Sequence, residues 1–544
     1  MKKLIAMLLA LIMVLSMAAC GATEPAPTEA KTPDAPVVEN KEETEPAVKE
    51  LQTFTAVYSS DHQTDMNETS ALMGILEEMH NVHIDWTIIT SANKAEQLQL
   101  ILASDKLPDM FLGEACIDTA KYFQEGILWD ITDMIPEYMP NYMAMLEEYP
   151  TMMEMTRQAD GRIYSLPKIT PYYQTGGAMY INTEWLAQLN MEIPTTTEEL
   201  YEVLCAFRDN DMNGNGDTND EIPFTWPNAR PDYGTASFMG MFGVEAAGIG
   251  QGTNLGDLSI NDDGEVYFNK TTDGWKEGAS WLAKLYKEKL IDPEVFTQDE
   301  ATFNAKSMGE TMTYGCFVGW RVGQIVGDAN ADKYALVGAP AHGDIEPAWG
   351  MLSANHGLAF SAAMGQFTKE MTEEEVITML KYFDTLYDPW YGEQVRRGTV
   401  PELMSWDENT KQFAMQPTPS EYSSSTEWQR SRAIQFLPYA SSLKYQEGFK
   451  TTASVIQLYA KDDVYGSLIK QKQLPFFVME AEDTAVTDVI RSDLKLYTDE
   501  KFALWVTGAE DIEAGWDAYL EQCDKLGLQT WIDITQDYVD ELAD

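Results

Sequence analysis

Apolar and polar positions recur along this chain with two different periods, and the switches between them outline its elements. Leu4 to Met17 is an apolar run with no charge in it, standing behind Lys2 and Lys3. It is shorter than the roughly 20 residues that a membrane-spanning helix needs. With Ala18 and Ala19 before Cys20, residues 1–19 have the form of a secretory signal peptide with a processing site. From Gly21 to about Leu51 the pattern vanishes: no aromatic residue occurs, and Pro25, Pro27, Pro33, Pro36 and Pro46 are spaced among Thr, Glu, Lys and Ala. Such a stretch buries too little apolar surface to offset its ordering entropy, which predicts a disordered linker over 20–51 reaching on the order of 90 Å.

Periodicity returns at Phe54. Residues 54–58 have strand composition and end in the polar loop Ser59-Ser60-Asp61-His62. Leu72, Ile75, Leu76 and Met79 then fall at helical spacing, and Val82, Ile84 and Trp86 alternate as a second strand. Asn93 with Glu96 has the form of a capping box, Leu98, Ile101 and Leu102 give its helix an apolar face, and 107–112 reads as a third strand. Strands alternating with helices predict an α/β lobe whose sheet is parallel and covered by helices. Ligands of such sheets sit beyond the carboxyl ends of the strands, which makes the loop at Asp61 and His62 a candidate pocket wall. Farther on, helical spacing marks 275–288 and 373–387, and Trp516, Tyr519, Leu520 and Cys523 share one helical face before Gly527. The glycine cluster 248–252 follows no evident strand and precedes no evident helix, so it reads as a loop and not as a phosphate cradle.

Composition narrows the function. Nearly 500 globular residues are too many for one core and enough for two lobes. A net charge of −51 makes nucleic acid and anionic lipid surfaces poor partners, because every phosphate contact would be opposed. Cys116, Cys205, Cys316 and Cys523 are scattered with no CxxC spacing, which predicts free thiols, although an outside compartment permits a disulfide. The histidines at 62, 80, 83, 342 and 356 form no metal-ligand set, His80 and His83 marking a helix-to-strand junction. No GxSxG, HExxH or P-loop sequence is present.

Several segments resemble known families. The Ala18-Ala19-Cys20 junction resembles the lipobox of bacterial lipoproteins, which implies that Cys20 becomes the mature N-terminus and carries diacylglycerol and acyl chains such as palmitate. Leu102 to Asp109, Leu128 to Ile135, Asp160 to Pro167 and Met179 to Leu186 resemble, in order and spacing, extracellular solute-binding proteins of carbohydrate ABC transporters, in particular their large oligosaccharide-binding branch. The segment from Trp505 to Leu528 resembles the close of that family. The resemblance implies a two-lobed periplasmic-binding-protein-like fold with a hinge and an inter-lobe ligand cleft. By the same analogy 52–168 plus about 311–355 form the first lobe and 169–310 plus about 356–544 the second. Crossings then fall near 167–175, 311–320 and 353–360, with Pro171, Gly176, Gly177 and Gly357 in or beside them.

The loop from Asp211 to Glu221 sets oxygen side chains at alternate positions around a glycine, as in the first half of an EF-hand. Calcium takes six to eight hard oxygens, and the glycine permits the sharp turn that points alternate ligands inward. The candidate ligands are the side chains of Asp211, Asn213 and Asn215, the carbonyl of Asp217, and the carboxylates of Asp220 and Glu221. Ile222 occupies the twelfth position, so a full EF-hand is excluded. The loop instead resembles the calcium loop of the oligosaccharide-binding branch, in which an Asp-Glu pair closes the site ahead of Ile-Pro; one extra residue leaves Asn219 and Asp220 as alternatives.

Fourteen tryptophans and twenty-six tyrosines supply rings of the kind that line sugar clefts. Those expected to face the cleft are Tyr172 and Tyr173, Trp226, Trp320 beside Arg321, and Trp349, with Asp61 and Asp109 as hydroxyl acceptors. Together these features predict no catalysis but a monomeric, lipid-anchored receptor on the outer face of a bacterial membrane, handing an oligosaccharide to a permease. Two other classes stay open: a secreted glycosidase or lyase using paired carboxylates, and a peptide receptor on the same lobes.

Overall fold

Phe54, Ala56 and Tyr58 point to one side of the first strand and Val57 to the other, and all four are buried. Apolar side chains on both faces require cover on both faces, and the computed structural model supplies it. The structure describes residues 50–543 apart from 64, 159, 172–174, 229–233, 245–256, 310, 350–357, 423–424, 446, 451, 470–473, 476 and 478. The signal peptide, Cys20, the linker as far as residue 49, Tyr172, Tyr173, Gly357 and the glycine cluster 248–252 therefore lie outside the described residues.

The strands run β1 (Gln52–Ser59), β2 (Val82–Ile89), β3 (Met110–Leu112), β4 (Leu166–Pro171), β5 (Ala178–Asn182), β6 (Ile222–Thr225), β7 (Leu258–Ile260), β8 (Val266–Phe268), β9 (Tyr314–Gly319), β10 (Tyr334–Val337), β11 (Leu358–Phe367), β12 (Met404–Asp407), β13 (Gln412–Met415) and β14 (Tyr439–Ala440). Six form one sheet in the order β14-β4-β11-β3-β1-β2, and four form another in the order β10-β5-β9-β6. In the first sheet β1 runs parallel to β2 and β3, as its alternating pattern predicts, while β11 enters antiparallel between β3 and β4. Its larger core packs Phe54, Ala56 and Tyr58 with Leu72 and Leu76 of the helix Ala71–His80 and with Met379 and Phe383 of Glu373–Asp384. On the other face Val57 and Phe111 meet Leu98, Ile101 and Leu102. The second sheet has its own core, built around Tyr180, Trp185, Phe207, Phe224 and Phe317. No described helix is long and apolar enough to cross a membrane.

Several local expectations change. Ile75 and Met79 are 45% and 50% exposed, because Leu72, Met73 and Leu76 already fill the contact of that helix with the sheet. Asn93 makes no capping bond, since it ends a 3-10 turn with helical-side dihedrals instead of the extended ones a cap needs. The third strand begins only at Met110. Cys116, Cys205, Cys316 and Cys523 are free thiols.

The allocation of segments to lobes is reversed at two places. Residues 311–355 contain β9 and β10, which both pair antiparallel with β5 in the second sheet. Residues 358–367 form β11, which is laddered to β3 and β4 in the first. The first lobe is thus 52–171 with about 358–450, and the second is 178–349 with about 453–543. The chain crosses between β4 and β5, between β10 and β11, and between β14 and the helix Ala453–Tyr465.

On the second-lobe side all three crossings are tied to one spot. The Lys461 ammonium donates to the Gly176 carbonyl at 2.7 Å, and the Trp349 indole donates to the Gly177 carbonyl at 2.9 Å. The Trp349 ring stacks on Tyr465 with centroids 4.2 Å apart, and the Tyr465 hydroxyl accepts from the Met179 amide and donates to the Val337 carbonyl. Gly240 allows the Ala348 carbonyl to close on it, where a Cβ would stand only 2.1 Å away. Substituting Trp349 by Ala is expected to cost about 3–5 kcal/mol of folding free energy. Trp349→Phe, which keeps a ring on Tyr465, should cost about 1 kcal/mol through the lost hydrogen bond. Urea unfolding measures both, and a Trp349→Ala midpoint equal to that of the parent chain would refute the anchoring role.

Candidate functional site

Strand direction decides which edges face each other. β4 is antiparallel to β11, which is antiparallel to β3, so β4 runs parallel to β1 and β3 and leaves the first sheet at their carboxyl ends. The crossing to β5 therefore sets the second lobe beyond those ends, where α/β sheets bind ligands. From the other side β9 runs antiparallel to β5 with Gly319 opposite Ala178. It consequently delivers Trp320 and Arg321 to the edge that faces the first lobe.

Polar side chains span the two lobes here. Arg321 Nη2 lies 3.3 Å from Ser425 Oγ and also bonds Thr426 Oγ1. Asp328 Oδ2 accepts from the Ser425 hydroxyl at 2.7 Å and from its amide at 3.3 Å. Ser425 begins the helix Ser425–Arg432, whose Trp428 is packed into the first-lobe cluster with Leu403 and Phe413. The carboxylate of Asp328 thus meets the positive end of a helix from the opposite lobe. A second bridge runs from Arg397 Nη2 to the Tyr459 hydroxyl at 3.4 Å, with Arg397 Nε held 3.1 Å from the buried Glu393 carboxylate. Beneath Arg321, the fully buried Lys461 has its ammonium 4.1 Å from the centroid of Trp320. Burial pushes the Lys461 pKa well below the usual lysine range, against the pull of Asp462 and with the help of Arg321.

The predicted ligand residues divide. Trp320, half-buried, and Arg321 stand at the facing edge. Asp61 is exposed in the loop after β1 and accepts from the Ser91 amide at 2.8 Å; hydrogen bonds from Ser91 hold its carboxyl below the usual range. Asp109 is a correction: it precedes β3, level with Thr55 near the start of β1, and clamps the Thr55 amide and hydroxyl at 2.7 and 2.9 Å. It serves the sheet at the edge away from the cleft. Trp226 is likewise no pocket ring, being fully buried among Phe224, Phe238 and Phe296. Trp349 is 2% exposed and belongs to the hinge root described above. Lys461, Asp328, Ser425 and Arg397 escaped the sequence reading, because each is an ordinary helix or loop residue until crossings far apart in sequence bring them together.

The loop 211–221 lies elsewhere. β6 is parallel to β9, so the chain enters β6 at the edge of the second sheet opposite the hinge. Asp211 Oδ1 accepts from the amides of Gly214 and Asn215 at 2.8 and 3.1 Å, and its Oδ2 from Gly216 at 2.8 Å. Gly214 and Gly216 have φ of 73° and 92°, which L side chains adopt at a cost. The amides of Asn213 and Asn215 turn to Asp220, at 3.2 and 2.6 Å. Glu221 is buried and accepts from the Met212 amide at 2.8 Å, while its Oε2 has no partner among the described residues. Burial raises its pKa. The Asp217 carboxylate turns to Asn219, its Oδ1 accepting from the Asn219 amide and side chain at 3.0 and 2.9 Å. Among the described residues no three carboxylate, imidazole or thiol groups hold a metal by themselves. The donor set fits a hard cation through mixed carboxylate, amide and carbonyl oxygens, and the orphaned Glu221 oxygen is the observation that favours one.

Comparison with known proteins agrees with this architecture. Over residues 71–382 the chain matches the family model described as bacterial extracellular solute-binding protein. The fructooligosaccharide ABC transporter substrate-binding protein FusA of Streptococcus pneumoniae is 30% identical over 499 residues, covering 88% of each chain. The solved structure of that organism's FusA with kestose superposes with a TM-score of 0.78 at 25% identity, over 90% of this chain and 99% of the other. A FusA structure described as an EF-hand mutant with fructo-nystose has a TM-score of 0.77 at 24% identity, with the same coverage. With two lobes, a hinge and a polar inter-lobe edge already traced from the strands, these matches make the chain a member of the bacterial extracellular solute-binding protein family.

Proposed function

We propose that this protein is a membrane-tethered extracellular receptor that binds an oligosaccharide between its lobes and passes it to an ABC permease. The observation that carries the reading is the similarity to an oligosaccharide receptor along 88% of both chains, joined to a facing edge rich in hydrogen-bonding groups at Arg321, Asp328 and Ser425. In this reading residues 1–19 are removed, Cys20 carries the lipid, and 20–51 hold the receptor away from the bilayer. Ligand oxygens meet Arg321 and Asp61, and a sugar face meets Trp320. A ligand that touches both lobes favours the arrangement in which they are together, and its differential affinity sets how far the equilibrium shifts. The permease recognises that arrangement. No bond is made or broken, in keeping with relatives named as binding proteins.

The mature chain carrying Cys20→Ser should melt at a higher temperature with one glycan among kestose, nystose and trigalacturonate. At a hundredfold excess over Kd the gain is about 2.7 kcal/mol. Recovery of the glycan uncut supports the receptor reading; cleavage products would overturn it in favour of an enzyme.

The loop 211–221 is proposed to hold calcium through Asp211, Asn213, Asn215, the Asp217 carbonyl, Asp220 or Asn219, and Glu221. A bound divalent cation would neutralise the carboxylates and fix the entry to β6. Chelator should lower the melting temperature and added calcium restore it, whereas Asp211→Ala should melt low and ignore both. A parent chain indifferent to chelator would refute the site.

A further inference from the structure

Among the described residues three lysines are buried almost completely, and two of them are accounted for. Lys270 bonds Asp499 and Thr498 and pairs with Asp257 at 3.2 Å. Lys461 bonds the Gly176 carbonyl. Lys168 is 8% exposed, yet its ammonium has no hydrogen-bonded or ion-paired partner among the described residues. It lies 4.9 Å from the centroid of the half-buried ring of Phe436. Burial pushes its pKa down to about 8, with Glu114 opposing and Arg396 adding to the shift.

Register places this side chain at the cleft. Leu166 of β4 lies opposite Gly365 of β11, and Gly365 lies opposite Leu112, the last residue of β3. Lys168 therefore stands two residues past the carboxyl end of β3, level with the exposed Glu114 and on the way to the crossing at Pro171. Two residues on, along the same side of the strand, the Thr170 hydroxyl is buried with no partner among the described residues. A buried ammonium without acceptors is a cost to the fold, and an unbranched apolar side chain of similar length would avoid it. Unsatisfied donors that converge on a ligand-facing edge mark where ligand acceptors belong.

We infer that Lys168 is a ligand-contact residue of the first lobe, donating from its ammonium to a cluster of oxygen acceptors on one sugar unit of the bound glycan. This rests on the oligosaccharide-receptor reading and adds to it a cationic anchor across the cleft from Trp320 and Arg321. The acceptors are either hydroxyl and ring oxygens of a neutral sugar or the carboxylate of a uronate, since both offer lone pairs to an ammonium.

The test compares the parent chain, Lys168→Met and Lys168→Gln, each with Cys20→Ser, by melting and by calorimetric titration with kestose, nystose and trigalacturonate. Lys168→Met should melt at or above the parent temperature while losing at least about tenfold in affinity, and Lys168→Gln should fall between the two. A structural lysine would give the opposite pattern, lower melting with affinity kept, and affinities within about twofold of the parent in whichever variant folds would overturn the inference. Affinity for trigalacturonate that declines as ionic strength rises assigns the anchor to a carboxylate, and salt-independent affinity for kestose or nystose assigns it to hydroxyls. If the parent chain binds none of the three, the receptor reading fails and this contact fails with it; if the parent binds and Lys168→Met binds equally, only this contact fails.

Discussion

The hinge depends on a buried ammonium. Lys461 sits on the helix Ala453–Tyr465 after the last crossing and holds the carbonyl of Gly176 after the first, while Trp349, before the middle one, holds Gly177 and lies on Tyr465 of that same helix. Three passages of chain, each more than a hundred residues from the next, are thereby fixed to one another inside the second lobe. Bending must then occur on the first-lobe side of this root, because the root itself is close-packed and its polar groups are paired. Gly176 and Gly177, which the sequence places at the first crossing, are its tethered end.

The same packing orients the groups at the edge where the lobes face each other. Lys461 approaches Trp320 from below, and Arg321 next to it reaches Ser425 and Thr426 of the first lobe. A chain with net charge −51 thus concentrates Arg321, Lys461, Arg397 and Lys168 at the junction between its lobes. Acidic groups there, Asp328 and Glu393, are paired with the opposite lobe or with arginine. The acidity of the remaining surface serves solubility, while hydrogen-bond donors gather at the junction. The cation loop stands apart from this, at the far edge of the second sheet. Its side chains bond to its own backbone and to Asp220 at the entry to β6.

Local patterns carried far in this sequence. The strand composition of 54–58, the helical spacing in 71–80 and the apolar face at Leu98, Ile101 and Leu102 all correspond to elements of the first lobe. The spacing of Asp211, Asn213 and Asn215 around Gly214 corresponds to a turn in which Asp211 accepts from backbone amides, Asn213 and Asn215 donate to Asp220, and Glu221 takes the Met212 amide. Each of these depends on neighbours within about a dozen residues, where period and turn chemistry act directly. Trp226 and Trp349 show the boundary of such reading. An indole is equally suited to a core and to a sugar face, and only its surroundings choose.

What the sequence by itself determined is the class of fold, the first three strands with their helices, and the turn chemistry of the loop 211–221. What only the tertiary structure decided is which lobe owns each later segment, that Trp226 and Trp349 are core rings, and where Lys461, Asp328 and Lys168 stand relative to the crossings. The pairing of β9 and β10 with β5, and of β11 with β3 and β4, joins strands more than a hundred residues apart. A strand's own residues specify that it will pair and which face is buried. The partner is set by the shape and register of the assembled sheet, which exists only once the chain has folded.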